Sequence, residues 1–177
     1  GSVAGALARL APGSDVRGLL LSQAIIPRIV ATINALPDRQ VAQNILPLHS
    51  PKGTLQVTGD AGATTLDPDN AARYAAYMAV LEHADARALV AWYVHNYPLF
   101  DQSYADLGLA NGHFNDRLVF VIEQLLATPD IVKPVALKPY KSMYAFADPQ
   151  LESLTAGQKM LIRAGPANEA RIKTKLR

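Results

Sequence analysis

Twelve prolines punctuate this chain, and their placement constrains the fold more than any other feature. Inside a helix a proline removes one backbone hydrogen bond and clashes with the preceding turn, whereas in the first turn it is harmless. Asp67-Pro68 and Asp148-Pro149 each join a capping side chain to a proline start, and Gly165-Pro166 turns one helix into the next. Pro12-Gly13, Pro37-Asp38 and Pro129 stop helices. Pro27 is tolerable only in a first turn, which predicts a helix break near residues 23–26.

Between these marks the apolar spacing predicts the elements. Ile25, Ile29, Ile33 and Leu36 recur at helical intervals, while residues 37–53, with Pro37, Pro47 and Pro51, read as an extended connection. Residues 54–58 alternate polar with apolar. Gly59, Asp60, Ala61 and Gly62 supply a turn and residues 63–66 a return strand, so a small β-hairpin is expected, lying on the helices or pairing with a third strand. A helix runs from Asp67 to about His83. Asp85 caps another to about Asp106, ended by Gly108 and kinked or divided at Asn96 to Pro98. Asn115 caps a helix to about Thr128. Residues 134–146 form a short strand pair or an irregular aromatic segment, and Thr155 starts a helix to Ala164. The expected fold is mainly α: a single compact domain over residues 1–177, with about seven helices and a small antiparallel β element.

With 177 residues, half of them hydrophobic and 18% charged, the chain can bury a core and lies far from the composition of disordered proteins. It has no cysteine, which excludes thiol catalysis, thiolate zinc sites and disulfides. No apolar run approaches the roughly 20 residues that cross a bilayer. Gly1-Ser2 reads as the remnant of a cleaved tag. Charge is uneven: residues 1–130 hold 8 Lys/Arg against 12 Asp/Glu, and residues 131–177 hold 9 against 3. The basic end, from Lys159 through Arg163, Arg171, Lys173 and Lys175 to Arg177, is expected as a solvated helix whose cations suit its C-terminal dipole. The alternative is contact with anionic lipid or an acidic partner. No nucleic-acid motif accompanies the basic residues, so no nucleic-acid partner is expected.

Standard catalytic signatures are missing. There is no G-x-S-x-G elbow, no S-x-x-K, and no glycine-rich phosphate or dinucleotide loop, so no cofactor is expected. His49, His83, His95 and His113 make no metal-ligand spacing, so no metal is expected either. The acids Asp15, Asp67, Asp85, Asp116 and Asp148 stand at helix starts, where capping explains them. Two constellations remain. Tyr93, Tyr97, Phe100 and Tyr104 share one helix face, which reads as core or as an aromatic cleft beside Asn96 and Asp101 suited to a peptide, glycan or small ligand. His113, Phe114, Asn115, Asp116 and Arg117 precede a buried stripe of Leu118, Val119, Ile122, Leu125 and Leu126. Phe120 falls on the polar side, and His113 with Arg117 at a helix start form a candidate anion site.

Several runs carry a family resemblance. Tyr97-Pro98-Leu99-Phe100, Phe114-Asn115-Asp116-Arg117, Leu125 to Pro129, Phe146 to Pro149 and Ala156 to Lys159, with Val30-Ala31-Thr32 and Leu66-Asp67-Pro68 upstream, resemble the DUF3014 family of bacterial proteins of unknown function. The resemblance implies an envelope protein of a Gram-negative bacterium, with an N-terminal inner-membrane anchor, a linker and this domain in the periplasm. It implies no catalytic residues.

The expected function is therefore non-enzymatic binding of an envelope protein or polymer, with Tyr97, Phe100, Tyr104, His113, Phe114, Arg117 and Phe120 as contacts. The alternative is a hydrolase or lyase built from His113, Asp116, Arg117 and Tyr97 or Tyr104. A homodimer seamed along the Ala-rich residues 71–91 is a further expectation.

Overall fold

A computed structural model describes residues 2–60, 62–108 and 112–177. Gly1, Ala61 of the expected turn, and Asn111 lie outside the described residues. Ten α-helices and two antiparallel strand pairs form among those described, more helices than expected but the expected class. The excess arises because each cap and proline divides the chain. Two elements are single turns, α2 (Val16–Leu19) and α8 (Pro149–Glu152), started by the side chains of Asp15 and Asp148.

Helix α1 spans Val3–Leu10, with Ser2 accepting the amide proton of Gly5. Helix α3 (Ile25–Ala35) begins after Ala24, whose left-handed backbone makes the expected break and leaves Pro27 in the first turn. Asp67 accepts from the Asp69 amide and Pro68 follows as N1, but residues Pro68–Tyr74 wind as 3₁₀ and only Ala75–His83 is α-helical, forming α4. Asp85 caps α5 (Ala86–His95). The chain then turns at Asn96 into α6 (Tyr97–Asp106), so the proline divides two helices. Helix α7 covers Phe114–Leu126, α9 Ala156–Ala164 with a complete capping box on Thr155 and Gln158, and α10 Pro166–Leu176.

Strands β1 (Val57–Thr58) and β2 (Thr65–Leu66) make the expected hairpin, and β3 (Leu137–Tyr140) and β4 (Met143–Phe146) make a second. A bridge between Thr65 and Ala136 joins them: Leu66 N–H donates to Val135 O and Leu137 N–H to Thr64 O, both at 2.9 Å. The marginal hairpin thus finds its third strand.

Two apolar clusters result. In the first, Ile26 and Val30 of α3 meet Phe100 of α6 and Phe114 of α7, with Ile29, Trp92, Tyr93, Tyr97, Tyr104 and Leu118 around them. The second gathers Val135, Leu137, Phe146 and Ile162 between the strands and α9, edged by Leu66, Ile131 and Leu151. Helix α9 joins the two: Gly157 N–H donates to Leu36 O at 3.0 Å, and Gln158 reaches Gln124 O at 2.9 Å. In α4 of the expected dimer seam, Met78 is buried.

Candidate functional site

The aromatic stripe does not line a cleft. Tyr93 meets Phe100 edge to face at 5.0 Å between ring centroids, and Phe100 stacks on Phe114 at 5.8 Å, with Tyr104 at 5.9 Å from the same ring. Phe100 is 3% and Phe114 0% exposed, so both of these candidate contacts are core and offer no face to a partner. The face that α5 and α6 share is instead filled by Ile26 and Val30 of α3. What reaches the rim is the hydroxyl edge of the tyrosines.

That rim starts α7. The sequence placed Asn115 as the cap with Asp116 as the first helical residue, but α7 begins two residues earlier, at Phe114, with His113 at the cap position and no cap bond from its side chain. Its first amides are satisfied from α6 instead. Asp101 Oδ1 accepts from Phe114 N–H at 2.8 Å, and the Tyr97 hydroxyl accepts from Asn115 N–H at 3.1 Å while donating to Asp101 Oδ1 at 3.3 Å. The Tyr93 hydroxyl donates to Asn115 Oδ1 at 3.0 Å. Asp101 Oδ2 holds His113 Nδ1 at 3.0 Å. These bonds set the acidities. The Phe114 amide, then His113, hold the Asp101 carboxyl below its usual range, and the Asp101 bond raises the His113 imidazole. Burial, reinforced by Tyr97 and Asp101, pushes Tyr93 up to about 12.

The buried face of α7 also differs from the expected stripe. Phe114, Leu118, Val121 and Leu125 share a face, Val121 is buried, and Val119 is exposed, contrary to its expected place in the stripe. Asp116 is solvent-facing. Arg117 turns away from His113 toward α3: its Nε donates to Asn34 Oδ1 at 3.0 Å and its Nη2 to Asn34 O at 2.8 Å. Phe120 covers this guanidinium, with its ring centroid 5.3 Å from Cζ, and remains 43% exposed. Arg117 and Phe120, unexplained by the helix period, are thus explained by each other and by Asn34. The structure joins His113 to Asp101 and Tyr97, and does not join Arg117 to them.

The basic end is solvated only in part: Arg171 and Arg177 are exposed, but two of its lysines are not. Lys159 and Lys173 are both 5% exposed. Lys159 Nζ bonds Glu152 O at 3.2 Å, and Glu152 also accepts from Phe146 N–H at 2.9 Å. Lys173 donates to Thr128 O and to Asp130 at 3.0 Å, and lies 3.1 Å from Glu169. Lys175 donates to Ala84 O, and Arg171 pairs with Glu82 at 2.9 Å. Burial raises the Glu169 carboxyl. For Lys173 burial acts downward, but Asp130 and Glu169 outweigh it and the ammonium is held above its usual range.

Arg163 behaves differently. Its guanidinium lies over the Phe146 ring, 4.8 Å from the centroid, and Arg163 is one of the residues lining a concavity of about 460 Å³ between β2, residues 131–135 and the α9–α10 junction. The sequence reading counted Arg163 only among the basic residues. Its one signal was position: it interrupts the run Leu161-Ile162-Arg163-Ala164, whose other members are all buried.

Among the described residues no three His, Asp or Glu side chains gather as a metal site, and no helix is long and apolar enough to cross a membrane. Residues 25–177 match the family model described as "Protein of unknown function (DUF3014)". No curated protein and no solved structure matches the chain.

Proposed function

Because the chain belongs to the DUF3014 family of proteins of unknown function, its role must come from its own surface, and we propose a non-enzymatic binding domain that engages an envelope protein or polymer through the exposed rim of α7. The observation that carries this reading is the Phe120 platform: an aromatic ring 43% exposed, seated on a guanidinium that Asn34 holds in place. An anchored aromatic on a rigid helix loses little freedom on binding, which is the character of residues that dominate interfaces. His113, with its side chain 72% exposed, and Val119 extend the same rim. The periplasmic location and the inner-membrane tether rest on the family resemblance, as does the envelope partner.

Thermal-shift titration with peptidoglycan fragments and capture from envelope extract test this, with Phe120→Ser and His113→Ala as comparators. A bound species lost in Phe120→Ser supports the rim. Equal capture by wild type and both variants overturns it. A homodimer along residues 71–91 would appear in sedimentation at micromolar protein.

A second reading, a hydrolase or lyase, is favoured by one observation. Asp101 holds His113 by Nδ1, and among the described residues Nε2 has no protein partner in a largely exposed ring, the arrangement in which a carboxylate-oriented imidazole acts as a general base. Ester or glycan turnover abolished in His113→Ala would support it. Turnover unchanged in that variant would remove it.

A further inference from the structure

The hairpin of β3 and β4 ends in a free tip. Its base is fixed: Leu137 and Phe146 stand opposite each other, both buried, and Phe146 N–H donates to Glu152 at 2.9 Å. Beyond them all six residues from Lys138 to Met143 are exposed, Tyr140 to 53% and Met143 to 69%. Tyr140 stands opposite Met143, and Lys138, two residues before Tyr140, shares its face of the ribbon. Lys141 Nζ lies 5.5 Å from the Tyr140 ring centroid. The charge here has one sign. Residues 131–147 contain Lys133, Lys138 and Lys141 and no acid. Among the described residues no carboxylate pairs with any of the three. Lys141 also occupies a left-handed backbone position, at φ 54°, that favours glycine. A lysine there keeps a cation at the turn against the local conformational preference.

We propose that this tip docks on an anionic phospholipid surface, with Tyr140 and Met143 entering the headgroup boundary and Lys138 and Lys141 meeting the lipid phosphates. Charge complementarity selects an anionic partner. Two further observations favour a lipid surface over a polypeptide. Both edges of the ribbon resist strand addition. On β3, Leu137 N–H is taken by Thr64 O and Pro139, the next residue on that edge, has no N–H; on β4, Phe146 N–H is taken by Glu152, which leaves the Tyr144 amide alone. The tip is also convex. Its two-residue turn at Lys141 and Ser142 offers no groove to a partner's side chain, whereas a fluid headgroup layer closes around whatever protrudes into it. Tyrosine and lysine suit that layer, because an amphipathic ring sits at headgroup depth and a long stem lies on apolar surface while its ammonium stays wet.

Co-sedimentation of the whole chain with vesicles tests the proposal, comparing phosphatidylglycerol mixed equally with phosphatidylcholine against phosphatidylcholine alone, with soluble polyglutamate as an acidic polypeptide. Binding is expected on the mixed vesicles, at least about tenfold weaker on phosphatidylcholine, and weakened by salt. Lys138→Gln and Lys141→Gly should each lower the mixed-vesicle affinity by about fivefold. Because Lys141→Gly relieves the backbone while removing the charge, a loss of binding in that variant is not a failure to fold. Tyr140→Ser combined with Met143→Ser should lower the affinity by about tenfold or more. Arg177→Gln, at the exposed end of α10, should leave it unchanged. Any of four results would overturn the proposal: no binding to the mixed vesicles, equal affinity for both vesicles, polyglutamate bound as tightly as the mixed vesicles, or mixed-vesicle binding that survives Lys141→Gly or the Tyr140 and Met143 double variant unchanged.

Discussion

Asp101 of α6 caps α7, a helix to which it does not belong: its Oδ1 accepts the amide proton of Phe114 at 2.8 Å. Helix starts leave amides without partners, and most helices satisfy them from the adjacent residue. Here the neighbouring helix does so, which locks the α6–α7 corner. Asp101→Ala should therefore speed hydrogen exchange at the Phe114 and Asn115 amides and lower the urea midpoint, with Asp101→Asn milder because an acceptor oxygen remains. Tyr97→Phe, which removes the acceptor for Asn115 N–H, should cost about 1 kcal/mol in urea unfolding.

The pair formed by His113 and Asp101 has a defined pH window. The His113 imidazole is raised above 6.5, so its contribution to stability is complete below 6.5 and is lost as pH rises through the folded value. Asp101 is lowered below 3.8, so its contribution is complete above 3.8 and is lost as pH falls through the folded value. Both hold between those limits. In ¹H–¹⁵N spectra His113 should titrate above 6.5 in the native chain and return toward 6.5 in Asp101→Asn; an unchanged midpoint would contradict the pairing.

Two phenylalanines six residues apart on α7 should respond very differently. Phe114→Ala empties the centre of the helical core and should cost about 3–5 kcal/mol. Phe120→Ala should cost under about 1 kcal/mol. Arg117→Ala, which breaks two bonds to Asn34, should cost about 1–2 kcal/mol, and a double-mutant cycle with Asn34→Ala should return most of that as coupling.

Lys173 tests the buried ionic contact under α10. Lys173→Met leaves Glu169, 2% exposed, without its cation and should cost about 3–5 kcal/mol. Adding Glu169→Met should recover most of the loss, because an apolar pair of similar volume needs no desolvated charge. A double variant as unstable as the single one would show that Thr128 O and Asp130 carry the contribution of Lys173 instead.

Local signals in the sequence were reliable where the cause was local. Asp15, Asp67, Asp85, Asp148 and Thr155 all cap through their side chains, as their spacing to the following turn requires. The division at Asn96 and the break before Ile25 follow from Pro98 and Pro27. What failed depended on distant residues. Asn115 looks like a cap to a local rule, yet the α7 amides had already found Asp101 and Tyr97; and Val119 is exposed because the elements packed on α7 cover the face of Phe114, Leu118 and Val121. Lys159 and Lys173 looked solvated because Glu152 and Asp130, which hold them, lie in other elements. Nothing local pointed to the concavity between β2, residues 131–135 and the α9–α10 junction, whose walls come from segments on either side of four helices.

The bridge between Thr65 and Ala136 has a consequence for the order of folding. Helices α4 to α7 lie wholly between the two strands it joins, so strand pairing closes a loop that contains four of the ten helices. Closing a long disordered loop is entropically unfavourable and slow, and a loop already shortened by folded helices closes more readily. The amides of Leu66 and Leu137 are accordingly expected to gain protection last in pulse-labelled refolding, the sheet acting as a latch on helices that assembled before it.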